Sequence, residues 1–169
     1  LYRSLGQKEK ADRTYARLLG LRPDDVRVAL AAATYFRESA RGAQAVEVLQ
    51  RFAKSRKTPA EQAAAATMVA TEQRIQGQVE EAEKTLLSAN ALAPTVEASY
   101  ALGNLYLVQM KDPAKAVPWL DKAVEIALKS NSQLLPALME RRVACLLDRE
   151  LNELDKARQE VSAFRRRFP

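Results

Sequence analysis

An alanine recurs along this chain at helical-repeat spacing, and this periodicity constrains the fold more than any other feature. A bulky apolar residue follows each copy four positions later, which places both residues on one face of a helix. The intervals between successive alanines are 34, 37, 34 and 41 residues. The five marker alanines are Ala11, Ala45, Ala82, Ala116 and Ala157. A period of this length predicts a repeat array in which each unit packs on its neighbours.

Turn signals flank the marker alanines. Gly6, Gly77 and Asn152 each stand five residues before one of them. Glycine and asparagine tolerate a positive φ, which a tight turn between helices requires. Proline follows twelve residues after three of the alanines, where it would end the helix, at Pro23, Pro94 and Pro169. No segment shows the alternating apolar pattern of a β-strand, so the sequence predicts an all-α fold of helical hairpins.

One copy carries a recognisable motif. Leu102-Gly103 is followed by Tyr106, and the marker Ala116 is followed four residues later by Leu120. This pattern resembles the tetratricopeptide repeat (TPR). The resemblance implies a right-handed superhelical α-solenoid of antiparallel helix pairs. It also implies that the first helix of each pair lines a concave groove and the second forms the convex back.

The repeat register predicts one solenoid over residues 1–169. We expect about four repeats, preceded by a half repeat whose orphan helix spans 8–21. A capping box with proline at the first helical position begins at Thr58. Both ends carry apolar residues, so we expect a fragment of a longer array or self-association through uncapped ends. The predicted helix pairs cover about 26–57, 63–94, 96–129 and 134–169. The 37- and 41-residue intervals imply extra residues at the junctions between pairs, around 58–62 and 129–135.

Composition argues against catalysis. The chain has no histidine and one cysteine, which removes Ser-His and Cys-His nucleophiles and the common zinc sites. No glycine-rich phosphate-binding motif occurs. We therefore predict no catalytic, cofactor-binding or metal-binding residues. Cys145 lies in an apolar helical stretch, and the sequence favours a buried packing role for it over a reactive thiol.

The groove of the first helices is the candidate binding surface. Its stripe is predicted from residues spaced three and four apart on each first helix. The predicted groove residues are Arg27, Leu30, Thr34, Arg37, Thr67, Thr71, Arg74, Glu97, Tyr100, Asn104, Val108, Met139, Arg142 and Arg149.

An arginine stands eight residues before four of the five marker alanines. These are Arg3, Arg37, Arg74 and Arg149, and Val108 takes the place in the remaining repeat. One hypothesis is a ladder of guanidinium groups that binds carboxylates of a partner. The other is that each arginine only compensates the dipole at the end of its helix. The sequence leaves both open.

The predicted function is a non-catalytic scaffold that binds a protein or peptide, with acidic residues beside hydrophobic anchors in the partner. TPR clamps that bind the acidic C-terminus of chaperones use lysine and asparagine at set groove positions. Here those positions hold mostly leucine, threonine and alanine, and Asn104 is the one match, so a clamp of that kind is disfavoured. One alternative is a structural segment of a bacterial envelope export or secretion assembly, so the cytoplasm and the periplasm both stay open as locations.

The other alternative is a basic solenoid that binds nucleic acid through Lys54 to Lys57 and Arg165 to Arg167. These clusters lack interleaved aromatic residues, which disfavours nucleic acid. The sequence contains no apolar run long enough for a membrane span.

Overall fold

The computed structural model describes residues 7–148 and 151–167, and within these ranges the chain forms nine α-helices and no strand. A π-helical turn, Leu105–Gln109, directly continues α6. Successive helices pack against one another, and α4 also contacts α6. The predicted all-α solenoid of helix pairs is therefore confirmed. The helices are α1 Lys8–Leu21, α2 Val26–Glu38, α3 Gly42–Lys54, α4 Pro59–Ile75, α5 Val79–Leu92, α6 Val96–Asn104, α7 Pro113–Ser130, α8 Leu135–Leu146 and α9 Leu154–Arg167.

The second helix pair begins at Pro59, four residues before its predicted start. The Thr58 hydroxyl accepts a hydrogen bond from the Glu61 N–H, and the Glu61 carboxylate accepts one from the Thr58 N–H. This reciprocal capping satisfies two backbone donors that would otherwise lack partners at the helix start. The segment 58–62, which we expected to be a junction, therefore forms the first turn of α4.

Each turn within a helix pair has a described residue in the left-handed region five positions before the marker alanine. Gly77 has φ 76° and Asn152 has φ 48°, as their residue types predict. Ala40 and Lys111 adopt φ 57° and 52° at the equivalent places, five residues before Ala45 and Ala116 in the sequence. Gly6 lies outside the described residues. The repeat therefore demands a left-handed residue here even where the side chain disfavours it.

Substitutions at the two equivalent turn positions should change stability in opposite directions. Ala40→Gly removes the steric cost of a Cβ at positive φ, so we expect a gain of about 0.5–1 kcal/mol. Gly77→Ala introduces that cost, and we expect a loss of about 1 kcal/mol. No neighbouring atom lies within 4 Å of a Cβ built at Gly77, so the stability lost in Gly77→Ala would report backbone strain alone. Urea unfolding of both variants measures the difference, and a destabilised Ala40→Gly would contradict the prediction.

The core follows the marker alanines. Ala45, Ala82 and Ala116 are fully buried. Between α6 and α7 the approach is close, because a Cβ at Gly103 would lie 2.8 Å from the Cγ of the buried Leu120 side chain. Small residues thus stand where helices meet, which is why the repeat pattern can be read from them.

Cys145 is buried in the same core cluster as Leu120 and Ala116. Burial raises the pKa of the Cys145 thiol to about 11, and Asp148 and Asp121 add to this effect. A thiol with this pKa stays protonated at neutral pH and is a poor nucleophile. The structure therefore supports a packing role for the side chain.

Candidate binding groove

Two adjoining cavities follow the first helices of the repeats. The central cavity has a volume of about 430 Å³ and is lined mainly by residues of α4, α6 and the π-helical turn. Leu86 of α5, Leu134 just before α8 and Arg141 of α8 complete the lining. A smaller cavity of about 180 Å³ is lined mostly by α2 and α4. Thr67 and Thr71 line both of them. We call the two together the groove, because the shared threonines make them one continuous surface.

Ten of the predicted site residues line this groove. In the central cavity the lining includes Tyr100 and Asn104 beside Arg74. The smaller cavity is lined in part by Leu30 and Arg37. The ten are Leu30, Thr34, Arg37, Thr67, Thr71, Arg74, Glu97, Tyr100, Asn104 and Val108.

Three other predicted residues lie elsewhere. Arg27 is on the exposed start of α2, where its guanidinium pairs with Asp25 at 3.2 Å, and it lines neither cavity. Met139 is 6% exposed and belongs to the hydrophobic core between α7 and α8. Arg142 forms ion pairs with Asp121 of α7 and Glu160 of α9, so it connects two second helices. Arg149 lies outside the described residues.

The error in α8 has a clear cause. In each of the first three helix pairs, the two helices are joined by a three-residue connection, such as 76–78. In the fourth pair, α8 and α9 are joined by the seven residues 147–153. Counting back from Ala157 therefore gave α8 the wrong register. The residues that actually extend the central cavity there are Leu134 and Arg141. The 41-residue interval before Ala157 signalled extra residues, which we expected around 129–135, before α8. The structure instead has the longer connection after α8, at 147–153.

The arginines of the predicted ladder have different environments. Arg37 donates to the Glu72 carboxylate, with Nη1 and Oε2 2.6 Å apart, and the Glu72 side chain is only 4% exposed. Arg74 is exposed and forms no ion pair in the described part of the chain. Arg3 and Arg149 lie outside the described residues. Within the described ranges, the ladder therefore has one arginine paired inside the protein, Arg37, and one without an ion pair, Arg74.

The central cavity holds further unpaired polar groups. Arg141 and Glu97 form no ion pair with any residue that the structure describes, so two guanidinium groups, those of Arg74 and Arg141, and one carboxylate are available at the cavity. The Asn104 Oδ1 atom is buried and accepts no hydrogen bond. A buried acceptor without a partner costs free energy, and a ligand donor would remove that cost. Asn104 precedes the π-helical turn, a feature that often occurs at functional sites.

Comparison with known proteins agrees with this architecture. A family model described as tetratricopeptide repeat matches residues 1–25 and 96–130. The chain folds as a tetratricopeptide-repeat array. No curated protein matches the chain in sequence.

Solved structures show the same TPR fold along nearly the whole chain. The crystal structure of MamA is 21% identical with a TM-score of 0.63, covering 98% of this chain and 93% of its own. Pseudomonas aeruginosa PilF is 23% identical with a TM-score of 0.63, covering 98% and 71%. YrrB, described as a TPR protein with an unusual peptide-binding site, is 16% identical with a TM-score of 0.58, covering 92% and 75%. The right-handed solenoid is confirmed.

The described helices include none that is both long and apolar enough to cross a membrane. No group of three or more His, Cys, Asp or Glu side chains within 7–148 and 151–167 is placed to hold a metal ion.

Proposed function

We propose that the groove binds a segment of another protein and that the chain acts as a non-catalytic scaffold. The observation that carries this proposal is the central cavity. Three first helices converge there on Arg74 and Arg141, which lack ion pairs, and on the unpartnered Oδ1 of Asn104. These groups can satisfy carboxylates and a backbone N–H of a bound peptide without rearranging the protein.

The apolar lining of the groove indicates a second feature of the partner, a hydrophobic anchor. Val108 of the central cavity is 50% exposed, and Leu30 and Ile75 of the smaller cavity are 43% and 50% exposed. Such side chains favour hydrophobic anchors on the ligand. Glu72 neutralises the positive charge of Arg37 in the smaller cavity. The acidic part of the ligand therefore belongs in the central cavity. Glu97 disfavours acidic residues at its own edge of that cavity.

The ligand is therefore a peptide segment with an apolar anchor next to acidic residues. Exposed charge pairs contribute little each, so we expect a Kd of about 1–100 μM that weakens as salt is added.

A displayed library of random peptides tests this proposal. We expect selected peptides to combine acidic and apolar residues and to lose at least about tenfold in affinity for Arg74→Glu/Arg141→Glu, since the double variant replaces attraction with repulsion. The matched control is Lys10→Glu/Arg17→Glu, which changes two exposed cations of α1 that form no ion pair. Circular dichroism should show both variants folded.

The control variant should bind the selected peptides within about twofold of the parent. Peptides that bind the Arg74→Glu/Arg141→Glu variant as well as the parent would show that the central cavity does not recognise them. That result would overturn the proposal.

A further inference from the structure

A second cleft lies on the side of the array formed by the second helices. Its volume is about 520 Å³, and α3, α4 and α5 form its walls. It shares no lining residue with the groove. We call it the α3–α5 cleft. Its lining residues are Ala53, Lys54, Gln62, Ala66, Lys84, Thr85, Ser88, Ala89 and Leu92.

The charge of the α3–α5 cleft is one-sided. Lys54 and Lys84 are exposed and form no ion pair within residues 7–148 and 151–167, and no aspartate or glutamate is among the lining residues. Glu80 and Glu81 precede Lys84 by about one turn of α5 but do not pair with it. Lys54 is in the last turn of α3, where the helix dipole favours a cation. Lys84 lies in the N-terminal half of α5, so the dipole does not account for it.

The other lining groups leave mainly apolar contact for a ligand. Three alanines, Ala53, Ala66 and Ala89, lie beside Leu92, which is 50% exposed. The Thr85 hydroxyl already donates to the Gln73 amide oxygen. The Gln62 amide donates to the Arg56 carbonyl. A ligand therefore finds two ammonium groups and the exposed Ser88 hydroxyl beside a floor of methyl groups.

We propose that the α3–α5 cleft is a second protein-docking surface and that it takes an acidic amphipathic helix of a partner protein. Small side chains let a third helix approach α3 and α5 closely, and the apolar stripe of that helix would cover the alanine floor. Acidic residues flanking the stripe at helical spacing would meet Lys54 and Lys84. A nucleic-acid backbone would leave the floor unused, and the cleft has no aromatic residue for base stacking.

This docking surface is separate from the groove, so its test does not depend on the proposed function. The probe is a displayed library of amphipathic helical peptides with a fixed leucine stripe and randomised flanking positions. We expect acidic residues at the flanking positions after selection. The selected peptides should lose at least about tenfold in affinity for Lys54→Glu/Lys84→Glu, a double variant at exposed sites that should stay folded.

Two matched variants assign the binding site. The Lys10→Glu/Arg17→Glu and Arg74→Glu/Arg141→Glu variants should bind the same helical peptides within about twofold of the parent. Loss of binding only in Arg74→Glu/Arg141→Glu would place the helix in the groove and would overturn the proposal. Selection of basic flanking residues, or equal binding to Lys54→Glu/Lys84→Glu, would also overturn it. Displacement of the peptides by an oligothymidylate at equal concentration would indicate a nucleic-acid surface and would equally contradict it.

Discussion

Ala82→Arg should destabilise the protein by several kcal/mol and unfold much of the array. The Ala82 side chain is fully buried in α5, in one cluster with Leu86, Leu102 and Leu105. An arginine there would be overpacked, and its charge would be buried without a partner. Each repeat depends on its neighbours, so separation of α5 from α6 would also weaken the adjoining repeats. Thermal and urea unfolding followed by circular dichroism measure the loss.

Ala91→Arg is the matched control for this substitution. Ala91 lies on the same helix and is exposed, so the same chemical change should alter the free energy of unfolding by no more than about 0.5 kcal/mol. A melting temperature of Ala82→Arg within a degree or two of the parent would mean that the alanine does not mark a helix contact. The repeat register would then be wrong.

The fold was predictable because its signals are local and repeated. The marker alanines provide small side chains where helices cross, and this requirement for close helix packing recurs at five positions along the chain. Leu102-Gly103 with Tyr106 shows the same demand more specifically, since Gly103 leaves no room for a Cβ beside Leu120. Repetition lets weak signals add, which is why the architecture could be predicted although only one copy carries the recognisable Leu102-Gly103 and Tyr106 motif.

The left-handed turn residues show a limit of reasoning from residue type. Gly77 and Asn152 could be identified because their residue types favour a positive φ. Ala40 and Lys111 could not, because nothing in an alanine or a lysine indicates that conformation. Their distance from the marker alanine was the usable signal. Register therefore predicts the backbone here better than composition does.

The predicted stripe lines the groove in α2, α4 and α6 with the exception of Arg27, whereas neither Met139 nor Arg142 of α8 lines it. A stripe on a first helix follows from its register, and Thr67, Thr71 and Asn104 line the central cavity, as that register predicts. The longer connection before α9 broke the register, so Arg142 was predicted in place of Arg141. The environment of Arg37 was beyond the sequence, since its partner Glu72 is 35 residues away and on another helix.

Arg37→Met should destabilise the protein by about 2 kcal/mol, because it leaves the carboxylate of Glu72 buried without its cation. The estimate is below that for a fully buried pair, since the Arg37 side chain is 34% exposed and solvent screens part of the interaction. Gln76 would still donate to Glu72 through its amide, with Nε2 and Oε1 3.0 Å apart. Urea unfolding monitored by circular dichroism gives the difference.

Two further variants decide what the loss means. Arg37→Met/Glu72→Met replaces both members of the pair with apolar groups and should recover most of the stability, because no charge is then left buried. Arg74→Met should change stability by no more than about 0.5 kcal/mol, since Arg74 is exposed and forms no ion pair. Equal stabilities of Arg37→Met and Arg74→Met would show that the Glu72 pair is not structural. If the predicted difference is found, Arg37 holds α2 against α4, and the groove is best tested at Arg74 and Arg141, where a change in binding is not confused with a change in folding.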